Sequence, residues 1–129
     1  MSTLGIDHLG LTVANLDASV VFFVDCLGWT QFGGNEKYPS AYVTDGTAKI
    51  TLWQRRGETD FDRHENTGLH HTALKVADAQ SLHSLFDKVQ SWPGVDIEFA
   101  PEFSGNGPKV HFMVKEPGGT RLEFSYDPR

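Results

Sequence analysis

The chain has 129 residues, 39% of them hydrophobic, which is enough for one domain that buries a core without disulfides or a structural metal. Seventeen acidic residues against 11 basic ones leave a net charge of −6, which argues against binding to a nucleic-acid backbone. No stretch is apolar for long enough to span a membrane, the N-terminus lacks a basic region followed by an apolar core, and Cys26, the single cysteine, excludes an internal disulfide; together these point to the cytoplasm.

In chain order, Gly5 to Val13 alternates like a strand. Leu16, Val20, Phe23, Val24 and Leu27 then form one helical stripe, with Asn15 as its N-cap and Gly28 as its stop. Short strands are expected at Thr30 to Phe32, Ala41 to Thr44 and Ala48 to Gln54, with turns at Gly33-Gly34-Asn35 and Asp45-Gly46. The polar segment Arg56 to Gly68 reads as a linker. Beyond it the order returns: a strand at Leu69 to Val76, a helix burying Leu82, Leu85, Phe86 and Val89, and strands near Val95 to Phe99, Lys109 to Lys115 and Thr120 to Tyr126.

This return is a repeat. Ile6 to Trp29 aligns without a gap on Leu69 to Trp92 at a constant offset of 63 residues, so that His8 falls on His71, Leu11 on Leu74, Phe23 on Phe86 and Trp29 on Trp92. A second match, Asp45 to Trp53 on Pro117 to Ser125, puts Thr51 opposite Glu123. The expected organisation is one domain over residues 1–129, with module 1 at about 4–55, the linker at 56–68 and module 2 at about 69–127.

Sorting the strands by their period of two leaves Leu9, Leu11, Val13, Ile50, Leu52, Leu74, Val76, Leu122 and Phe124 for helix-covered faces. The opposite pleat collects His8, His71, His111, Glu123, Thr51, Trp53, Met113 and Arg121, a set that suits a concave site. Two imidazoles and a carboxylate match the facial ligand set for a divalent metal, with iron, manganese, zinc, nickel and cobalt all compatible. His70 is expected on the other pleat from His71. Imidazole titrates near neutrality, which makes His111 the candidate for proton transfer beside Glu123. Thr51, Trp53, Met113 and Arg121 are the candidate substrate contacts, and Trp29 and Trp92 read as structural.

The segments HLGLTVANLDASVVFFVDCLGW, HHTALKV and VHFMVKEPGGTRLEF resemble the glyoxalase, bleomycin-resistance and extradiol-dioxygenase superfamily, the vicinal oxygen chelate fold. The resemblance implies an α+β fold in which two βαβββ modules form a curved, partly closed barrel. It also implies a divalent metal held by His8, His71 and Glu123, a small-molecule substrate that chelates through adjacent oxygens, and a homodimer. The implied reaction is that of a lyase, an isomerase or a ring-cleaving dioxygenase. Glyoxalase I carries a fourth acidic or amide ligand where this chain has Thr51, and the resemblance therefore disfavours lactoylglutathione formation. Extradiol dioxygenases place a tyrosine where Met113 stands. The alternative that the superfamily offers is a metal-free small-molecule binder like the bleomycin-resistance proteins, with Trp53, Tyr42 and Phe32 stacking on a planar ligand.

Overall fold

In the computed structural model, which describes residues 1–129, each half of the repeat folds into its own four-stranded sheet with one helical segment packed on it. The chain divides into two units, Met1–Gly57 and Glu58–Arg129. The first contains β1 (Leu9–Val13), α1 (Leu16–Val21) continued by a π-helical turn at Phe22–Cys26, β2 (Thr30–Asn35), β3 (Ser40–Thr44) and β4 (Lys49–Gln54). The second contains β5 (Thr72–Lys75), α2 (Ala79–Gln90), β6 (Asp96–Phe103), β7 (Val110–Lys115) and β8 (Arg121–Tyr126). Strand orders are β1-β4-β3-β2 and β5-β8-β7-β6, with the outer pairs β1/β4 and β5/β8 parallel and the rest antiparallel.

The two sheets share a register. Leu9 lies opposite Ile50 as Thr72 lies opposite Leu122, and Tyr42 lies opposite Thr51 as Met113 lies opposite Glu123. The sequence repeat is therefore a repeat of strand pairing, and the fold is α+β with two βαβββ modules.

In the first unit, Leu11, Val13, Val43, Ile50 and Leu52 are buried together with Phe22, Phe23, Cys26 and Trp29. The 3.6-residue period places Phe23, Val24 and Leu27 on the buried stripe, but the structure rotates that stripe. Leu27 N donates to Phe22 O at 3.0 Å, five residues back, and this wider turn brings both Phe22 and Phe23 inward. Both are fully buried and meet edge to face at 5.8 Å, whereas Val24 and Leu27 stay half-buried. Burying a phenylalanine stabilises the unit by about 1.5–3 kcal/mol, and the wider turn adds Phe22 to the Phe23 that the regular period already buries. In the second unit, Leu82 and Val89 of α2 are buried along with Phe112, Val114, Leu122 and Phe124, and the Phe112 and Phe124 rings stack at 4.9 Å.

Several boundaries differ from the sequence expectation. Gly33 and Gly34 lie inside β2, and the turn follows at residues 36–39, where Asn35 Oδ1 accepts from Lys37 N at 2.8 Å. Glycine is needed there for close approach, because a Cβ on Gly33 would stand 2.7 Å from the Tyr42 ring. β6 runs on to Phe103 through two irregularities in its pairing with β7. The first and fifth strands start late, at Leu9 and Thr72, so His8 and His71 each stand immediately ahead of a strand. Pleat alternation therefore does not govern His70, and its ring meets that of His71, against expectation. Cys26 is buried, and no helix is long and apolar enough to cross a membrane.

Candidate functional site

Glu123 sits mid-strand in β8, opposite Met113 of β7 and Ala73 of β5, while His111 pairs with Ser125. Its side chain is 11% exposed, and Oε1 lies 2.9 Å from His111 Nδ1. A carboxylate this buried needs such a partner. The Phe99 ring lies against His111 at 4.8 Å. The second unit therefore presents an imidazole–carboxylate couple, with Met113 buried on the same pleat.

His71, half-buried ahead of β5, approaches His70 with their Nδ1 atoms 2.8 Å apart. Arg121 Nη1 also reaches His70 Nδ1, at 3.3 Å. Arg121 is held in turn by Glu98, which accepts from Nε at 2.9 Å and from Nη2 at 2.6 Å, and Arg63 approaches the same carboxylate at 3.5 Å. The Arg121 hydrogen bond holds the Glu98 carboxyl below its ordinary range. Partial desolvation, followed by the Arg121 charge, holds the His70 imidazole below its own.

In the first unit, His8 is exposed ahead of β1, and its Nδ1 lies 2.8 Å from Asp7 Oδ2, a hydrogen bond that lowers the Asp7 pKa. Thr51 holds the register position that Glu123 holds in the second unit, and its hydroxyl accepts from Trp53 Nε1 at 2.9 Å. Around Trp53 runs an aromatic row: Tyr38 at 5.0 Å, Tyr42 at 6.1 Å and, beyond Tyr42, Phe32 at 5.9 Å. Phe32 is 50% exposed and Tyr38 42%, and the Arg56 guanidinium caps the Tyr38 ring at 4.4 Å.

Of the residues anticipated from sequence, the second unit thus brings together Glu123, His111 and Met113 on one strand pair, with His71 and Arg121 joined through His70. The first unit joins Thr51 to Trp53 and places His8 beside Asp7. No three His, Cys, Asp or Glu side chains gather into a group that would hold a metal ion. The metal reading therefore stands on the donor types alone, two imidazoles and a carboxylate. Sequence reasoning missed Asp7 and Glu98 and set His70 aside on the other pleat. Asp7 and His70 occupy the same place in the repeat, one residue before each histidine, and that is the signal that finds them.

The sequence profile of the Glyoxalase/Bleomycin resistance protein/Dioxygenase superfamily matches residues 5–124. The chain belongs to that superfamily. Solved structures similar to this superfamily member include a glyoxylase/bleomycin resistance protein/dioxygenase domain from Frankia sp. EAN1pec, with a TM-score of 0.82 and 23% identity over 98% of this chain and 99% of that one. A glyoxalase family protein from Enterococcus faecalis gives a TM-score of 0.77 and 19% identity, over 97% and 99%. A lactoylglutathione lyase from Agrobacterium tumefaciens gives 0.73 and 17%, over 98% and 96%. Identities this low establish the shared glyoxalase fold. No curated protein matches the chain in sequence.

Proposed function

We propose that this superfamily member is a divalent-metal-dependent enzyme acting on a small substrate with two adjacent oxygens, its metal held by His8, His71 and Glu123. The observation that carries the reading is the Glu123–His111 couple: a carboxylate 11% exposed, with Oε1 taken by an imidazole at 2.9 Å. A buried charge costs several kcal/mol unless it is matched, and a strand meant only for packing would place an apolar residue there. The donors suit the ion, since imidazole nitrogen and carboxylate oxygen bind borderline divalent metals. Bound there, such a metal supplies Lewis-acid polarisation of substrate oxygen. His111 orients the carboxylate through Nδ1, as a hydrogen-bonded outer partner does for a ligand, and is the group that holds or passes a proton beside it. Met113 supplies an apolar wall, while Thr51 and Trp53 contact substrate from the first unit.

The reaction is a lyase, isomerase or dioxygenase step other than lactoylglutathione formation, carried out in the cytoplasm by a homodimer. Metal analysis of protein purified without chelator tests the assignment. One equivalent is expected in the unmodified protein, and strong loss in His8→Ala, His71→Ala and Glu123→Ala. An unmodified protein that takes up no iron, manganese, zinc, nickel or cobalt overturns it. One observation favours a second reading, that of a metal-free binder for a flat aromatic molecule: the aromatic row of Phe32, Tyr42, Trp53 and Tyr38 with its Arg56 cap.

A further inference from the structure

We infer that Arg63, together with Arg121, forms a subsite for an oxyanion, so that the small molecule taken by the second unit carries a carboxylate or phosphate group. By sequence Arg63 belongs to a linker, but the structure fixes it in place. Asp62 O accepts from Glu65 N at 3.2 Å and from Asn66 N at 2.8 Å, and Asp62 Oδ1 accepts from His64 N at 2.8 Å. Asn66 Oδ1 closes the turn by accepting from Asp62 N at 2.9 Å. Arg63 is thereby held against Glu98 of β6, with its side chain 24% exposed.

Two half-buried guanidinium charges then compete for one carboxylate. Arg121 takes both Glu98 oxygens, through Nε at 2.9 Å and Nη2 at 2.6 Å, while Arg63 Nη2 stands 3.5 Å from Oε1, too far for a good hydrogen bond. The bidentate pair is the stronger, so Glu98 neutralises Arg121 first. Arg63 makes no other ion pair, and its Nε is enclosed without an acceptor. Lys115 adds a further positive charge around Glu98. Nor is Arg121 exhausted: of the five N–H donors of a guanidinium, two go to Glu98 and a third lies toward His70 Nδ1, which leaves two Nη hydrogens. The surplus charge calls for an anion, and the guanidinium fork selects oxyanions by shape. Arg121 and Glu123 are two residues apart on β8, a step of about 7 Å along the strand. The inference rests on the proposed function only in taking the oxyanion to be part of the substrate; the subsite itself needs no metal.

Proton–nitrogen NMR of the arginine Nε–H groups in the ion-free protein reads the subsite, with acetate and inorganic phosphate as the probes. Each replaces chloride at a constant ionic strength of about 0.15 M, which screens exposed charges beyond about 8 Å. The Arg63 and Arg121 signals should shift and saturate. A response to acetate alone names a carboxylate, to phosphate alone a phosphate, and to both a subsite that accepts either. Arg63→Gln, followed at Arg121, should weaken binding about tenfold or more, the effect of losing one charge-assisted hydrogen bond. Glu98→Gln removes the competing negative charge, keeps an acceptor for Arg121, and should tighten binding, which a merely structural Glu98 would not do. Arginine signals that ignore both probes, unchanged affinity in Arg63→Gln, or affinity in Glu98→Gln that does not rise overturns the inference. Should the unmodified protein take up no divalent metal while the arginine signals still saturate, the metal reading falls and the subsite stands.

Discussion

Glu116 closes the turn between β7 and β8, and its replacement tests how that turn is held. The side chain is 1% exposed; Oε2 accepts from Gly118 N at 2.8 Å, and Oε1 accepts from Thr120 N at 3.1 Å and Thr120 Oγ1 at 2.9 Å. Two backbone bonds complete the loop, Glu116 N to Thr120 O at 3.0 Å and Gly119 N to Glu116 O at 2.8 Å. Glu116→Gln keeps an oxygen for the Thr120 side and turns its amide against Gly118 N, donor facing donor. Losing one charge-assisted bond and stranding a buried amide should cost about 2–3 kcal/mol. For a chain of 129 residues unfolding as one, each kcal/mol lowers Tm by about 4 °C, so a drop of about 8–12 °C is expected. Glu116→Ala, which removes all three bonds, should fall further. Thermal and urea melts followed by circular dichroism measure both variants. A Glu116→Gln protein within about 0.5 kcal/mol of the unmodified one would refute the claim that these bonds hold the turn, since surface substitutions alone stay in that range.

Glu98 has a folded pKa depressed below its ordinary 4.5 by Arg121, so its stabilisation is complete above that value and fades as pH falls through the folded pKa. After allowance for its partial exposure, the pair contributes about 0.5–1 kcal/mol; the unmodified protein should lose more stability below pH 4.5 than Glu98→Gln does, and parallel acid titrations would contradict this. Thr51 Oγ1 is bonded to Trp53 and offers no base, so metal-reconstituted protein should form negligible lactoylglutathione from the methylglyoxal–glutathione adduct; robust turnover abolished by Glu123→Gln would reverse that expectation. If the protein forms the proposed homodimer and builds each site from two chains, mixing His8→Ala with Glu123→Ala under subunit exchange should restore part of the zinc binding that each lacks. No recovery after proven exchange would place each site within one chain.

The fold was legible because the repeat carries its own proof: two separate matches, His8 on His71 and Thr51 on Glu123, anticipate the shared register of the two sheets. Helix α2 turned its apolar stripe to the sheet, with Leu82 and Val89 fully buried and Leu85 and Phe86 half-buried. The first helix did not, because a π-helical turn is a packing solution to two adjacent phenylalanines, and a window tuned to 3.6 residues cannot register it. Gly33 and Gly34 read as a turn by local chemistry, but the neighbouring strand is what requires them, the Tyr42 ring at Gly33 and the Ser40 carbonyl oxygen at Gly34. At the site, residue types were visible and their partners were not. Strand alternation placed Glu123 and His111 on one pleat, but the short strand start at Thr72 decides where His70 turns, and hydrogen bonding across 51 residues to Arg121 is a tertiary fact.

Cys26 has a practical consequence. It is the only thiol, 2% exposed, and it sits in the π-helical turn of the first unit. A thiol reagent can reach it only when that turn opens, so the labelling rate is a clock for local opening of residues 1–57 and is silent to events confined to the second unit. Combined with global melts, the clock distinguishes concerted from stepwise opening of the two halves. Glu116→Gln, placed in the second unit, should accelerate Cys26 labelling only if the two unfold together.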